Sequence, residues 1–220
     1  MRVSSVIDRV QIITPQKAIE YLQLGAGKTA RGYLWPVLDP LRGAVHYSWK
    51  LGRGHEELVG ILSLGKTGGF SGTIQCDGFS AYETLARRYP EIQLGGCLAH
   101  IRRKFHEARE QVPEVVMPIL PSIQRLYRIE ENLRQSGAPP GCRELVRRSK
   151  SRPIVNELQK KITAELGVHL PKSNPGKALR YALGQWSGFA RYMKDGRLEI
   201  DNNLVENAIR PTKLGAEKQR

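Results

Sequence analysis

The sequence predicts an α/β protein with its strands in the first half of the chain and helices in the second. Before residue 97, short runs of aromatic and β-branched residues alternate with helical patterns and end at Asp-Pro, Asp-Gly or Gly-rich segments. From residue 98 onward, apolar residues recur with a helical period. The 220 residues are 40% hydrophobic and 25% charged, which is typical of a globular protein and excludes a disordered or fibrous chain.

The first part of the chain is predicted to contain a hairpin followed by alternating helices and strands. Residues 32–38 and 44–49 are strand candidates, and the link 40–43 is typical of a turn. Further strands are expected at 73–76 and 92–96, and helices at 54–64 and 80–89. An earlier strand is expected within residues 10–24, where proline and lysine interrupt the pattern.

The second part is predicted to be a series of amphipathic helices. Leu98, Ile101, Phe105 and Ala108 share one helix face. The same period continues over 119–133, 155–166 and 179–193, with a break at 137–141 and with Pro153 in the first turn of its helix. A last helix is expected to begin at Asp201 or Asn202, whose side chains suit a helix N-terminus.

Charge and cysteine content restrict the function classes. The formal net charge is +14, and residues 91–220 carry 24 basic and 14 acidic side chains, which indicates a polyanionic partner or simply a soluble basic protein. No apolar run has the length of a membrane span or of a signal-peptide core, so no membrane is expected. Three cysteines exclude a disulfide scaffold and favour a reducing compartment.

Asp77 is the first candidate for chemistry. It follows a predicted buried strand in the segment QCDG at 75–78, and the end of a strand fixes the direction of a metal-binding carboxylate. An ordinary Asp-Gly turn is the alternative interpretation.

The second candidate is the polar face of the last helix. Asn203, Glu206, Asn207 and Arg210 follow the spacing i, i+3, i+4 and i+7, so one face combines an acid, two amides and an arginine. This combination suits a metal ion and a phosphate. A capped surface helix with a Glu206–Arg210 pair explains the same pattern.

The third candidate is the basic segment that opens the helical part. Arg102, Arg103 and Lys104 lie between His100 and His106 and are suited to contact a phosphate backbone. One alternative is a solvated helix face. A weaker alternative is a zinc site of Cys97, His100 and His106 with Cys76 as the fourth ligand.

Four segments together resemble the DDE transposases of the insertion-sequence 66 family. In chain order these are GKTARGYLW at 27–35, QCDGFSAY at 75–82, GCLAHIRRKF at 96–105 and DGRLEIDNNLVENAIRP at 195–211. Their order and spacing also match, over about residues 19–215. The resemblance implies an α/β fold with an RNase H-like mixed sheet, in which a mostly helical insertion precedes the last catalytic helix. The implied division is a first part of the core at 1–111, the insertion at 112–194 and the last catalytic helix at 195–220.

The family resemblance also implies the chemistry. Asp77 matches the second and Glu206 the third of three carboxylates that hold two Mg²⁺ or Mn²⁺ ions, which suit hard oxygen ligands. The implied reactions are nicking of the element's ends and transfer of the freed strand into target DNA. Arg102, Arg103, Lys104, Asn203 and Arg210 would contact DNA. A homo-oligomer is expected for the active form, in the cytoplasm near the bacterial nucleoid.

The chain departs from the family pattern at both ends. The first acid belongs to an Asp-Glu-Thr-Pro segment, whereas this chain has Ile12, Ile13, Thr14 and Pro15. Asp8 and Asp39 do not match that position. The last four residues and the lack of an N-terminal DNA-recognition region also depart from the pattern, so an incomplete copy is expected. The alternative to an active enzyme is an inactive relative that binds DNA through its basic helices.

Overall fold

The computed structural model describes residues 9–13, 19–22 and 29–209, with side chains described for Ile13 and for residues 30–209. The described residues confirm the predicted α/β class. They belong to two compact units. Unit 1 contains the described residues up to Leu94 and those from Asn202 onward, and unit 2 contains Gly95–Asp201. The division of the chain at 111/112 and 194/195 remains a prediction from the sequence.

The strands and helices follow the predicted order. The strands are β1 (Arg9–Ile13), β2 (Ile19–Leu22), β3 (Thr29–Asp39), β4 (Ala44–Lys50), β5 (Gly72–Gln75) and β6 (Ile92–Gly95). The helices are α1 (His55–Ile61), α2 (Ser80–Arg88), α3 (Leu98–Ala108), α4 (Pro113–Val116), α5 (Ile119–Gln135), α6 (Pro140–Val146), α7 (Arg152–Leu166), α8 (Asn174–Ala190) and α9 over residues 203–209.

The sheet is mixed, and β1 lies between its antiparallel and parallel parts. β3 pairs antiparallel with β4 along Tyr33–Asp39, and antiparallel with β1 through Ile12 opposite Leu38. β1 pairs in parallel with β5, with Ile12 beside Gln75. The strand order is β4-β3-β1-β5-β6, and β2 pairs with the first half of β3. The strand expected within residues 10–24 is therefore two strands, β1 and β2.

Local chemistry explains the β3–β4 hairpin. The Asp39 carboxylate accepts hydrogen bonds from the backbone N–H groups of Leu41 and Arg42 at 3.0 and 3.3 Å. The Arg42 side chain donates to the same carboxylate at 2.7 Å. Gly43 has a φ of +64°, which a glycine adopts without steric cost. The Asp-Pro-Leu-Arg-Gly link therefore forms the turn that its sequence predicts.

The core of unit 1 lies between the sheet and the first two helices. The sheet contributes Ile13, Trp35 and Ile74, which are all fully buried. Leu58 of α1 and Leu85 of α2 pack in the same cluster and are also fully buried. This packing orders the middle of the sheet and thereby the loops that follow its strands.

Unit 2 consists of helices between Gly95 and Asp201. The predicted apolar face of α3 is buried, as are the apolar stripes of α5, α7 and α8. Ser173 caps α8 by accepting a hydrogen bond from the Gly176 N–H at 3.2 Å. Gly96 approaches α8 so closely that an added Cβ would lie 2.6 Å from the backbone nitrogen of Phe189. A side chain at position 96 would therefore push this part of α8 away.

The helix predicted to begin near Pro153 is continuous with the helical segment before it. α6 leads into a π-helical turn over Arg147–Ser151, which leads directly into α7. Proline has no backbone N–H, so a regular helix through Pro153 would lose a hydrogen bond, and the wider turn before it accommodates that loss. The break expected at 137–141 includes Gly137, with a φ of +61°, and ends where α6 begins at Pro140.

Arg147 is the polar centre of unit 2. It is 0% exposed and donates two hydrogen bonds to the Glu130 carboxylate, at 2.6 and 2.8 Å. It also donates to the backbone oxygens of Tyr192, Asp195 and Leu198 at 2.8 to 3.0 Å. One buried guanidinium therefore ties α5 to the segment that follows α8.

The helices in the described ranges are too short or too polar to cross a lipid bilayer.

Candidate functional site

Asp77 lies just beyond the end of β5, as the sequence predicts. All four residues of β5 are buried, and Cys76 is 3% exposed, whereas Asp77 itself is only partly buried. Its Oδ1 accepts a hydrogen bond from the Phe79 backbone N–H at 3.2 Å. This bond, together with the rigid strand before it, fixes the carboxylate at the edge of the sheet.

Glu206 lies on α9, whose apolar side packs on unit 1. Val205 and Ile209 are 0% and 2% exposed, and Val205 packs against Leu38. The Tyr47 hydroxyl donates to the Ala208 carbonyl at 2.8 Å and anchors the helix to β4. Burial of Val205 and Ile209 leaves Asn203 exposed and Glu206 partly exposed. Arg210 lies outside the described residues.

The position that matches the family's first acid lies in β1. Ile12 is beside Gln75, and Gln75 is two residues before Asp77. An acid at position 12 would therefore stand on the strand next to Asp77, one strand across and two residues along, so that the two backbone positions are about 8 Å apart. The chain has an isoleucine there. The neighbouring Ile13 is fully buried in the core of unit 1.

Asp39 is too far from Asp77 to replace that acid. It follows Leu38, which pairs with Ile12, so it lies level with Ile74, three residues before Asp77. β1 separates β3 from β5, which adds about 10 Å across the sheet, whereas two bridged metal ions are only about 4 Å apart.

The Asp39 carboxylate is also already engaged in the hairpin turn. Burial raises its pKa, but the Arg42 side chain and the N–H groups of Arg42 and Leu41 outweigh burial and hold the pKa below its usual value. Asp8 lies outside the described residues.

The carboxylates of the described residues do not fit a two-metal site. Within these residues, no group of three or more His, Cys, Asp or Glu side chains is placed to hold a metal ion. Asp77 and Glu206 belong to the same unit, but neither is part of such a group in the described part of the chain. The alternative of a zinc site is not supported either. Cys97 Sγ and His100 Nδ1 lie 3.1 Å apart, but among the described residues they are not part of a group of three or more side chains that could bind zinc.

Arg53 is a site residue that the sequence analysis missed. Its guanidinium carbon lies 4.6 Å from the ring centroid of Phe79 and 5.5 Å from that of Tyr33. It is exposed and makes no ion pair within the described ranges. A Gly-Arg-Gly segment after a strand is the only sequence signal for this placement.

Arg53 and Asp77 both lie near the buried Tyr82, because both affect the pKa of its hydroxyl. Burial raises the pKa of Tyr82 well above its usual value, Cys76 and Asp77 act in the same direction, and Arg53 acts in the opposite direction. The Tyr82 hydroxyl is buried and has no hydrogen-bond partner within the described residues. An arginine held between two aromatic rings thus lies beside the Asp77 segment.

The basic residues of α3 belong to unit 2 and divide into two groups. Arg103 and Lys104 pair with Glu107 at 3.7 and 2.7 Å, and hydrogen bonding from Lys104 lowers the pKa of Glu107. Arg102 is exposed and makes no ion pair with any described residue. The helix therefore carries one compensated basic side and one uncompensated side.

The profile described as "Transposase IS66 family" matches residues 14–218. The uncharacterized protein y4qI of Sinorhizobium fredii is 34% identical over 94% of this chain and 40% of its own length. The uncharacterized protein y4jD of the same organism is 28% identical over 93% of this chain and 41% of its own length.

The profile covers nearly the whole chain and includes all four of the motif segments described above. The chain spans about 40% of the length of the curated relatives y4qI and y4jD. On this evidence the chain belongs to the IS66 transposase family.

Proposed function

We propose that this chain is a transposase-family domain that binds DNA but, in its present sequence, does not cut it. The observation that carries the proposal is the register of β1 and β5. It places Ile12 beside Gln75, on the strand next to Asp77, where the family resemblance expects an acid. Two carboxylates without the third leave two divalent cations without enough negative charge to hold them.

The fold supports a transposase core. A mixed sheet with a carboxylate at the end of its parallel strand agrees with the RNase H-like core that the resemblance implies. The helices of unit 2 lie between β6 and α9 in the chain, which agrees with a helical insertion before the last catalytic helix.

The charge distribution supports DNA as the partner. The net charge of the chain is +14. Arg53 in unit 1 and Arg102 in unit 2 are exposed cations without an ion pair among the described residues. With Arg103, Lys104 and Asn203 they provide contacts for phosphate groups, whose neutralisation supplies most of non-specific DNA affinity.

Strand nicking and strand transfer are the second candidate function. The family membership and the position of Asp77 at the end of a buried strand favour it. This candidate requires a third carboxylate that reaches Asp77 and Glu206 from outside the described residues. Mg²⁺ or Mn²⁺ would then supply the activation of the attacking hydroxyl and the stabilisation of the leaving oxygen.

One experiment separates the two candidates. Duplex DNA that carries the element ends is incubated with the chain in Mg²⁺ or Mn²⁺, and binding and nicking are measured for the chain and for its Asp77→Ala variant. The proposal expects equal, salt-dependent binding by both proteins and nicking by neither. Metal-dependent nicking that disappears in Asp77→Ala would overturn it in favour of the enzyme. Lack of any DNA binding by the folded chain would contradict both candidates.

A further inference from the structure

A cavity in unit 2 lies on the uncompensated side of α3. Its volume is about 340 Å³, near the lower end of the range for small-molecule sites. Arg102 and His106 of α3, with Arg109 directly after the helix, line one wall. Their spacing of four and three residues places them on one helix face, because the opposite face buries Ile101 and Phe105 in the core.

The cavity is electropositive. No carboxylate lines it among the residues that the structure describes. Arg102 and Arg109 make no ion pair with any residue that the structure describes, whereas Arg103 and Lys104 around the helix share Glu107. Burial lowers the pKa of His106, and repulsion from Arg102 and Arg109 lowers it further. An anion bound between Arg102 and Arg109 would offset this repulsion.

The opposite wall is apolar and aromatic. Met117, Leu120 and Pro121 contribute apolar surface, and Met117 is 52% exposed. Tyr127 of α5 also lines the cavity, and its hydroxyl donates to Asp201 Oδ2 at 2.8 Å, which fixes the ring. A cationic wall that faces an apolar and aromatic wall matches the two halves of a nucleotide, the phosphate and the base.

We propose that this cavity binds one nucleotide of single-stranded DNA, with the phosphate on Arg102 and Arg109 and the base against the α5 wall. The inference rests on the proposed DNA-binding function and specifies the form of DNA that unit 2 recognises. A single-stranded nucleotide presents its base to a cavity of this size, whereas a base within a duplex is stacked and paired. An acidic peptide would use the cationic wall but would leave the apolar wall without a matching group.

A matched pair of substitutions tests the cavity itself. Gln124 lines the cavity from α5, and Gln159 is an exposed residue of α7 outside it. Gln124→Glu and Gln159→Glu make the same change in charge and shape. We expect Gln124→Glu to weaken binding of a labelled single-stranded oligonucleotide of about ten nucleotides by about tenfold, because it adds a negative charge to the cavity that holds the nucleotide. Gln159→Glu should leave that affinity nearly unchanged.

A second pair tests the phosphate contacts. Arg102→Ala/Arg109→Ala should lower the slope of log affinity against log salt by roughly 1.4, about 0.7 for each contact with single-stranded DNA. Arg87→Ala/Arg180→Ala removes two exposed arginines elsewhere on the chain and should leave the slope unchanged. Addition of the oligonucleotide should also raise the pKa of His106 in an NMR titration.

The outcomes are distinguishable. If Gln124→Glu and Gln159→Glu lose the same affinity for the oligonucleotide, the proposal that the cavity binds a nucleotide is wrong. The same holds if Gln124→Glu loses the same affinity for single-stranded and for duplex DNA. Either result leaves the proposed function intact. Competition by an acidic peptide as strong as that by the oligonucleotide would also overturn it and favour a peptide partner. If the folded chain binds neither form of DNA, the proposed function fails together with the inference.

Discussion

At the scale of single residues, the rings of Phe79 and Tyr33 hold the Arg53 guanidinium in place. A free arginine on a surface loses side-chain entropy when it binds, whereas the rings of Phe79 and Tyr33 already restrict Arg53. The planar guanidinium stacks on rings in a way that a lysine ammonium does not. Arg53 therefore offers a positioned cation beside Asp77.

Substitutions of Arg53 should distinguish the contribution of its charge to DNA affinity from the contribution of its stacking on the two rings. We expect Arg53→Lys to retain part of the duplex affinity and Arg53→Ala to lose more, with a salt slope lower by about 0.9 for one phosphate contact. Thermal unfolding should change little, since an exposed cation–π contact contributes about 0.5–1 kcal/mol. Equal affinities for the chain and Arg53→Ala, measured by fluorescence anisotropy, would remove Arg53 from the DNA-binding surface.

Asp195 gives a pH-dependent prediction at the same scale. Burial raises its pKa, but hydrogen bonds from the Arg197 side chain and backbone outweigh burial and hold the pKa below its usual value. A carboxyl whose pKa is lower in the folded state stabilises that state above the unfolded pKa of about 3.9, and this contribution is lost as pH falls through the folded pKa.

Asp195→Asn should accordingly cost roughly 1–2 kcal/mol of unfolding free energy at pH 7 and progressively less as the pH falls below about 4. Urea unfolding of both proteins between neutral and acidic pH measures the difference. A difference that stays constant down to the lowest pH would show that the carboxylate charge contributes nothing.

At the scale of elements, the buried pair of Arg147 and Glu130 holds α5, the π-helical turn and the segment after α8 together. Removing Arg147 leaves the buried Glu130 with only its longer contact to Arg143, at 3.4 Å, and the loss of one partner of a buried ion pair typically costs about 3–5 kcal/mol. Arg147→Met should therefore destabilise the chain by about that amount in urea unfolding. Arg148→Ala, which removes an exposed partner of Glu144, should cost less than about 1 kcal/mol.

A double variant tests the physical reason for this cost. Arg147→Met/Glu130→Leu removes both charges, so it should be more stable than Arg147→Met alone. The double variant should regain only part of the lost unfolding free energy, because the carbonyls of Tyr192, Asp195 and Leu198 also lose the hydrogen bonds that Arg147 donates. A double variant no more stable than Arg147→Met would mean that the backbone contacts, and not the ion pair, account for the loss.

Elements governed by local chemistry are the ones that the sequence predicted. The β3–β4 hairpin follows from Asp39 and Gly43, and the apolar stripe of α3 predicted its buried face. The sequence did not predict correctly the elements that depend on partners far away in the chain. β1 and β2 were expected as one strand, and the π-helical turn before Pro153 has no local signature separate from the helix around it.

The candidate site also contains some residues that the sequence predicted and others that it did not. Asp77 and the polar side of α9 follow from strand and helix periodicity, so sequence patterns alone suggested them. The stack of Arg53 on Phe79 and Tyr33 joins three separate segments, and the cavity wall on α5 depends on how helices pack within unit 2. No spacing along the chain encodes either arrangement.

At the scale of the whole molecule, the sheet register and the family resemblance both indicate position 12 as the place of the expected first acid. Position 12 lies one strand and two residues from Asp77, about 8 Å between the backbone positions, whereas Asp39 lies two strands and three residues away, about 14 Å. Ile13 is buried in the core, so an acid there would cost folding free energy. Position 12 is consequently where a restored acid would complete the set of carboxylates.

If the proposed function is correct, Ile12→Asp should give the chain the ability to nick DNA in Mg²⁺ or Mn²⁺. The measurement is nicking of labelled duplex DNA carrying the element ends, over the background of the unchanged chain. Ile12→Asn has nearly the same shape without the charge and should remain inactive, and Ile12→Asp/Asp77→Ala should lose the gained activity because both carboxylates are required. Activity in Ile12→Asn equal to that in Ile12→Asp would show that polarity at position 12, and not a metal-binding acid, is what matters. A folded Ile12→Asp variant that binds DNA but never nicks it would contradict the proposal that an acid at position 12 is what the chain lacks for cutting.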